Sequence, residues 1–407
     1  MGFYKWLYPG LRIKRWVFLL AAGVVLVSMG FVVTLIESQE TVGSLFVVAG
    51  IFAVVVSLRK ILKSVITFLA PNQEGQLLNI MYHRGVLASG PRVVAVGGGT
   101  GLSVLLHGLK ERTSNITAIV TVADDGGSSG RLRDQFGVLP PGDIRNCLVA
   151  LADAEPLMQE LFQFRFKEGA SDLSGHSFGN LFILAMAKIT GDFEKAVRES
   201  SRILNIRGRV VPSTLSAVTL AAHHADGRVT DGETKISACG SPIERIFLKP
   251  DSVPAADDAL QAVRSADVIV FGPGSLYTSV LPNLLIENLL AEIIASRAPK
   301  IYVCNIMTQP RETSHLKSDF EHVEALVRNT QPEVLTHVIV NNGRVPQALA
   351  DRYIHEGAYP LKNESDRIRA LGYKVVESDL VRGVDVVRHN SRRLAKIITE
   401  IAVRKGR

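Results

Sequence analysis

The chain has 407 residues, 47% hydrophobic and 21% charged, room for a membrane segment plus one large or two medium soluble domains; the ordinary charged fraction excludes general disorder. Its formal net charge of +7 would suit a nucleic-acid partner, but seven cations (Lys5, Arg12, Lys14, Arg15, Arg59, Lys60 and Lys63) flank two apolar N-terminal runs. No later basic block carries interleaved aromatics, so no nucleic-acid partner is expected. Cys147, Cys239 and Cys304 are far apart and form no Cys-x-x-Cys pair, which excludes a disulfide framework and a zinc set and fits a reducing cytosol.

The first run, Trp16–Ile36, is 21 residues without a charge; the second, Thr41–Leu58, is 18. As helices they reach roughly 31 and 27 Å, the thickness of a bilayer core. The acidic turn Glu37-Ser-Gln-Glu40 between them and the cations outside them describe a two-helix transmembrane hairpin. By the positive-inside rule both termini then lie in the cytoplasm. A cleaved signal peptide is excluded by the length of the run and the second span directly after it. Gly23, Gly30, Gly43 and Gly50 read as ordinary membrane-helix glycines rather than a packing seam, and Arg59–Leu69 as an amphipathic segment along the surface.

Residues 70–90 read as a polar linker. From Pro91 onward a pattern of strand, glycine loop and helix repeats. Strands are expected over Arg92–Val96, Ile116–Ala123, Asp267–Phe271, Lys300–Cys304 and Val334–Val340, and helices over Leu102–Leu109, Ile144–Ala152, Phe178–Ile189 and Phe193–Leu204. Turn signals at Ala225-Asp-Gly227 and Asp231-Gly232 mark a hairpin-rich insertion near 205–247. The organisation is therefore a membrane anchor over 1–69, with spans at 16–36 and 41–58, and a cytoplasmic α/β domain over 91–407. That domain is Rossmann-like, a mostly parallel sheet with helices on both faces. The basic C-terminal stretch Arg388–Arg407 reads as a solvated terminal helix.

The glycine clusters stand at strand ends, where open parallel sheets bind ligands. Gly97, Gly98, Gly99, Thr100 and Gly101 lie between a strand and a helix, so backbone N–H groups at the helix start can meet phosphate. The spacing is not the full dinucleotide fingerprint and lacks the Lys of a P-loop. Asp124 sits where an acid meets ribose hydroxyls; alternatively Asp124 and Asp125 together hold Mg²⁺ against phosphate, or simply cap a turn. Gly126, Gly127, Ser128, Ser129 and Arg131 read as a second flexible loop suited to anionic oxygens. Asp143 either caps a helix or joins Arg145 and Asn146 in reaching the ligand. His176 is an acid/base, a donor to phosphate or a local cap, and Asn180 stands just beyond it. Gly272, Gly274, Ser275, Thr278 and Ser279 repeat the strand–glycine–helix logic, and Asn305 ends the next strand. His223 and His224 have no partner at metal-ligand spacing and read as an exposed hairpin.

Three segments carry a family resemblance. They are Gly-Gly-Gly-Thr-Gly at 97–101, Thr-Val-Ala-Asp-Asp-Gly-Gly-Ser-Ser-Gly-Arg at 121–131, and Pro-Pro-Gly-Asp-Ile-Arg-Asn-Cys-Leu-Val-Ala-Leu at 140–151. With His176–Asn180, Gly272–Asn283 and Cys304–Thr313 they closely resemble the bacterial gluconeogenesis factor family (YvcK-like), in a superfamily with the 2-phospho-L-lactate transferases (CofD-like). The resemblance runs from about Pro91 to the C-terminus. It implies a Rossmann-like fold, binding of a nucleotide sugar such as a UDP-linked hexosamine or of an NAD(P)-type dinucleotide, and a role in cell shape and wall-precursor balance. It also implies a homo-oligomer. Gly97–Gly101 and Ser275 fall at phosphate positions and Asp124, Asp125, Asn180 and Asn305 at ligand positions. The usual member lacks a membrane hairpin, and the Gly272–Ser279 segment is of the gluconeogenesis-factor type rather than the transferase type.

Three functions compete. The first is a membrane-anchored regulator that senses a nucleotide sugar and acts on envelope-synthesis proteins. The second is a Mg²⁺-dependent transferase of the 2-phospho-L-lactate type, supported by the Asp124–Asp125 pair; no Ser-His-Asp or Cys-His nucleophile arrangement is discernible. The third, a nicotinamide-dependent oxidoreductase, is disfavoured by the imperfect fingerprint.

Overall fold

A computed structural model of the chain describes residues 14–36, 40–69, 85–153, 156–167, 169, 172–383 and 386–404. The chain divides into two units between Val86 and Leu87. In the first, helix α1 (Lys14–Ile36) and helix α2 (Glu40–Leu69) pack on each other. Both are long and apolar enough to cross a membrane, with mean hydropathies of 2.5 and 2.4 over Lys14–Leu35 and Thr41–Ser64. The segment after Arg59 is a continuation of α2 rather than a separate surface helix. The expected 70–90 linker lies largely outside the described residues.

The four glycines of this unit form the helix–helix seam, against expectation. Gly23, Gly30, Gly43, Gly50 and Ser57 are buried while most of their neighbours are exposed. A Cβ on Gly50 would stand 2.7 Å from the Gly23 carbonyl oxygen, and one on Gly30 2.7 Å from the Gly43 oxygen. Glycine at seven-residue spacing lets the two backbones touch, and in lipid it is such packing that drives helix association. The signal was visible as spacing but not separable from the general abundance of glycine in membrane helices.

The second unit is built on a seven-stranded sheet in the order β10-β9-β8-β7-β1-β2-β3, every neighbour parallel. The strands are β1 (Val93–Gly97), β2 (Ile116–Val120), β3 (Arg209–Pro212), β7 (Val268–Phe271), β8 (Lys300–Val303), β9 (His337–Asn341) and β10 (Lys374–Ser378). β1, β2, β7 and β8 are buried along their whole length, as continuous Val/Ile runs covered on both faces must be. Helices Gly99–Leu109, Gly142–Leu151 and Ser391–Arg404 pack together, as do Asp257–Ser265 and Glu287–Ala295.

β4 (Thr219–His224), β5 (Val229–Asp231) and β6 (Ile243–Lys249) form a separate antiparallel sheet in the order β5-β4-β6, with a short helix, Glu233–Ala238, between β5 and β6. Arg209–Pro212 belongs to the main sheet, although the insertion was expected to begin near 205. The Gly126–Arg131 segment, expected as a flexible loop, opens helix Gly127–Phe136, with Gly130 packed against the Asp125 carbonyl. Its run of glycine and serine conceals a helix that contacts rather than propensity stabilise. His224 is buried, bonded to Ser241 O (3.1 Å) and Thr230 Oγ1 (2.7 Å); only His223 is exposed.

Leucine at both Gly30 and Gly50 is expected to push the two helices apart by about 2 Å, from glycine-seam contact toward the usual interaxial range. Spin labels at the exposed positions Met29 and Leu45 would read this; an unchanged distance would show that the seam is not glycine-limited.

Candidate functional site

The chain leaves β1 toward β2 and β3, then returns to build β7, β8, β9 and β10 on the other side. Between β1 and β7 successive connections diverge, which opens a crevice beyond the carboxyl ends of the strands. Two glycine loops line it. Gly98 is extended (φ −171°) and Gly99 turns to φ +65° to open the helix. A Cβ on Gly98 would collide with the Asp143 carboxylate, and one on Gly101 would sit 2.5 Å from the Pro273 carbonyl oxygen. Opposite, Gly272 takes φ +73°. Asn305 clamps the next glycine, accepting from Gly274 N at 3.3 Å and donating Nδ2 to Gly274 O at 2.8 Å.

Glu312 is buried beneath this loop. It accepts the Ser275 hydroxyl and the Tyr277 N–H (3.0 Å), while Ser275 Oγ lies 2.6 Å from Thr278 Oγ1. Asn283 Nδ2 donates to Ser279 O at 2.8 Å and, more weakly, to Gly97 O at 3.4 Å, which ties the two loops together. The resulting cleft is about 460 Å³ and is lined by Gly98–Gly101, Gly274, Ser275, Ser279 and Asn305. Val104, Ile306, Met307, Gln309, Tyr353 and Arg388 line it further out. Gln309 Oε1 is buried with no protein partner.

A second group stands beside it, past β2. Asp124 accepts from Gly126 N (2.8 Å) and from Ser129, whose Oγ also accepts from Gly142 N (3.1 Å). Burial holds the Asp124 carboxyl above its usual range. Asp143 accepts from Gly99 N and is pushed up to about 7, by burial first and then by the Asp124 charge. Glu233, from the insertion, hydrogen-bonds Thr278 and is pushed up to about 9, by burial and by Asp124, Asp143 and Glu312. Four carboxyl groups from four segments thus share one desolvated region, with Arg145 the nearby cation.

Arg145 donates to Ser177 Oγ (2.5 Å) and to Asn146 Oδ1 (2.7 Å), and its Nε is buried without a partner. Asn180 Nδ2 donates to Ser128 Oγ (3.1 Å), which contacts His176 Nδ1 at 3.0 Å. Burial and the neighbouring Arg131 and Arg165 lower the His176 pKa, favouring the neutral ring.

The sequence-derived candidates thus form two adjoining groups. Gly97, Gly98, Gly99, Thr100, Gly101, Gly272, Gly274, Ser275, Thr278 and Asn305 flank the cleft, and Asp124, Ser128, Ser129, Asp143, Asn146, His176 and Asn180 form the second group. Gly126 and Gly127 serve as cap and first residue of their helix. Two candidates are engaged elsewhere. The Asp125 carboxylate accepts from Thr234 N (2.9 Å) and Thr234 Oγ1 (2.8 Å), both on Oδ1, which anchors the insertion to this loop. Arg131 donates to Ser174 O (2.8 Å). Gln309 lies in the strand-end motif Met307-Thr-Gln-Pro310, whereas Glu233, Glu312, Tyr353 and Arg388 were not singled out. Glu233 directly follows the Asp231-Gly232 turn signal and Glu312 lies in the Cys304–Thr313 segment, but only the fold shows that both reach the site.

Raised carboxyl pKa values mean that the folded state holds protons the unfolded state releases, so stability falls as pH rises. For Asp143 the loss runs from its ordinary 3.8 to about 7; for Glu233 it runs from 4.5 to about 9. In chelator-treated protein the unfolding midpoint is expected to drop between these limits. Glu233→Gln should remove the part above pH 7, and a superimposable profile for that variant would contradict the assignment. Gly101→Ala, which meets backbone rather than a yielding side chain, is expected to destabilise by about 1–3 kcal/mol in denaturant titration.

Comparison with known proteins places this geometry. The model of the 2-phospho-L-lactate transferase CofD family matches residues 93–381. A putative gluconeogenesis factor of Clostridium acetobutylicum is 40% identical over 100% of this chain and 93% of its own. The gluconeogenesis factor of Bacillus subtilis is 46% identical over 76% of this chain and 98% of its own. The crystal structure of a UPF0052-family protein from Bacillus halodurans superposes with a TM-score of 0.73 at 44% identity, covering 76% of this chain and 98% of that one. The chain therefore belongs to the CofD family, among its gluconeogenesis-factor (YvcK-like) members.

Proposed function

We propose that this protein is a membrane-anchored regulator whose cytoplasmic unit binds a nucleotide sugar, of the UDP-hexosamine kind, and couples its level to carbon flux into cell-wall precursors and to cell shape. The cleft between the two glycine loops carries the reading. Its inner wall supplies backbone N–H groups at a helix start and the Ser275 and Ser279 hydroxyls, the chemistry of a diphosphate. Its outer wall supplies Ile306, Met307, Tyr353, Arg388 and the unpartnered Gln309 oxygen, suited to a base or sugar ring. A volume of about 460 Å³ lies in the range of small-molecule sites. The two apolar helices and their flanking cations support insertion in the bacterial inner membrane with the α/β unit on the cytoplasmic side.

The acidic group favours a second reading, Mg²⁺-dependent transfer of a phosphorylated group. Among the described residues no three His, Cys, Asp or Glu side chains form a metal cage. Mg²⁺, however, needs only one or two carboxylates beside substrate phosphates. Asp124 and Asp143 fit that demand, since burial leaves both short of compensating positive charge. Mg²⁺ held there would neutralise phosphate oxygens, while Gly99 N–H orients Asp143 and Gly126 N–H with Ser129 orients Asp124.

Calorimetric titration of the full chain with UDP-N-acetylglucosamine, with and without Mg²⁺, tests the first reading. Micromolar binding without product is expected, weakened about tenfold in Asn305→Ala by loss of the Gly274 clamp; no heat at millimolar ligand would end it. Mg²⁺-dependent release of guanosine monophosphate from a lactyl-diphosphoguanosine, lost in Asp143→Asn, would establish the second reading, and a flat time course at high enzyme would remove it.

A further inference from the structure

We propose that the C-terminal helix (Ser391–Arg404) and the groove beside it form a docking surface for anionic lipid headgroups. The charge distribution motivates it. Residues 87–387 carry 31 Lys and Arg against 35 Asp and Glu, whereas 388–407 carry seven against one. The excess of positive over negative charge in the α/β unit therefore lies in its last twenty residues, six of whose seven cations follow Arg388 of the cleft. A basic segment appended to an otherwise acidic body is repelled by nothing on an anionic surface and attracted by it.

The structure gives that segment a defined face. Leu394, Ala395, Ile398 and Ala402 are buried in the core and fix the helix. The opposite side exposes Arg392, Arg393, Lys396 and Val403, the last 54% exposed. Beyond Ile401 lies a groove of about 740 Å³ whose wall includes Arg297, Leu371, Tyr373 and Lys374. Arg297 and Lys374 are exposed, and Leu371 is 51% exposed. Lys396 pairs loosely with Glu400 at 3.8 Å. Among the described residues Arg297, Lys374, Arg392 and Arg393 have no acidic partner, so their charge is available to an external anion. Cations around apolar side chains are the pattern that interfacial surfaces share: the cations meet headgroups while Leu371 and Val403 enter the headgroup–acyl boundary.

The location agrees. The groove is walled by Pro299, Thr336 and Lys374, at the amino ends of β8, β9 and β10. The glycine loops stand at the carboxyl ends, so lipid contact at the groove leaves the ligand cleft open. The proposal rests on the membrane-anchored reading. A chain tethered by α1 and α2 keeps headgroups at high effective concentration, so a handful of cations suffices where an untethered protein would need many.

The test uses the full chain in nanodiscs of phosphatidylglycerol or phosphatidylcholine, with acetylation rates of single lysines read by mass spectrometry. Lys374 and Lys396 are expected to react about threefold or more slowly in the anionic discs, with Lys195 in helix Phe193–Ile203 as the unaffected control. High salt should erase the difference, since exposed charges are screened. So should Arg392→Glu with Arg393→Glu, neither of which lines the ligand cleft. Equal rates in the two lipids, or slowing that survives the double reversal, would overturn the proposal. Slowing by polyuridylate with none by lipid would overturn it in favour of nucleic acid. Release of the chain from vesicles at alkaline pH would overturn the anchored reading itself, and this inference with it.

Discussion

The contact on which the site depends is the meeting of two backbones at the switch point. Helix Gly99–Leu109 begins so close to the Gly272–Ser275 loop that Gly101 has no room for a side chain beside the Pro273 carbonyl. That approach makes one cleft out of what would otherwise be two separate turns. It also turns the helix start toward the cleft, where N–H groups and the helix dipole favour an anion. Asn305 and Asn283 hold the arrangement from either side. Their amides hydrogen-bond the backbone of both loops and so fix one against the other.

The same closeness explains the acids. Asp143 approaches Gly98 because glycine leaves the space, and it meets the Gly99 N–H there. Asp124, Glu233 and Glu312 arrive from three other segments. Four carboxyl groups with one nearby guanidinium are destabilising unless protons or a cation offset the charge. Holding protons at Glu233 and sharing charge at Asp143 relieves part of that cost in the unliganded protein. An arrangement that weakens folding in this way is retained where the site needs it, and a phosphate ligand accompanied by a cation is the chemistry that would use it.

Much of this was legible in the sequence because the local signals were strong. Continuous Val/Ile runs such as Val93–Val96 and Val268–Phe271, each ended by glycine, determine a buried parallel strand and a turn together. Several site glycines were legible for the same reason: Gly98 and Gly101 permit an approach, and Gly99 and Gly272 a dihedral, that other residues resist. What escaped was whatever depends on pairing between distant segments. Arg209–Pro212 is too short to announce itself, and it is a strand only because β2 offers its edge. The Asp125 carboxylate reads from the sequence only as the neighbour of Asp124, yet it also accepts from Thr234, more than a hundred residues away. Glu233 beside its turn and Glu312 within the Cys304–Thr313 segment give no local sign of their role; tertiary placement makes them part of the site.

The N-terminal helix pair shows the same division between pattern and context. Length and hydropathy identify α1 and α2 from the sequence alone, because a bilayer imposes them on any spanning helix. The glycine seam needs a second helix to acquire meaning: Gly23 faces Gly50 and Gly30 faces Gly43 only once the chain has turned back on itself. The ligand cleft is built wholly within the second unit. The residues that line the cleft therefore owe nothing to the hairpin, and the two units carry separable constraints: glycine contact between helices in one, glycine loops at strand ends in the other.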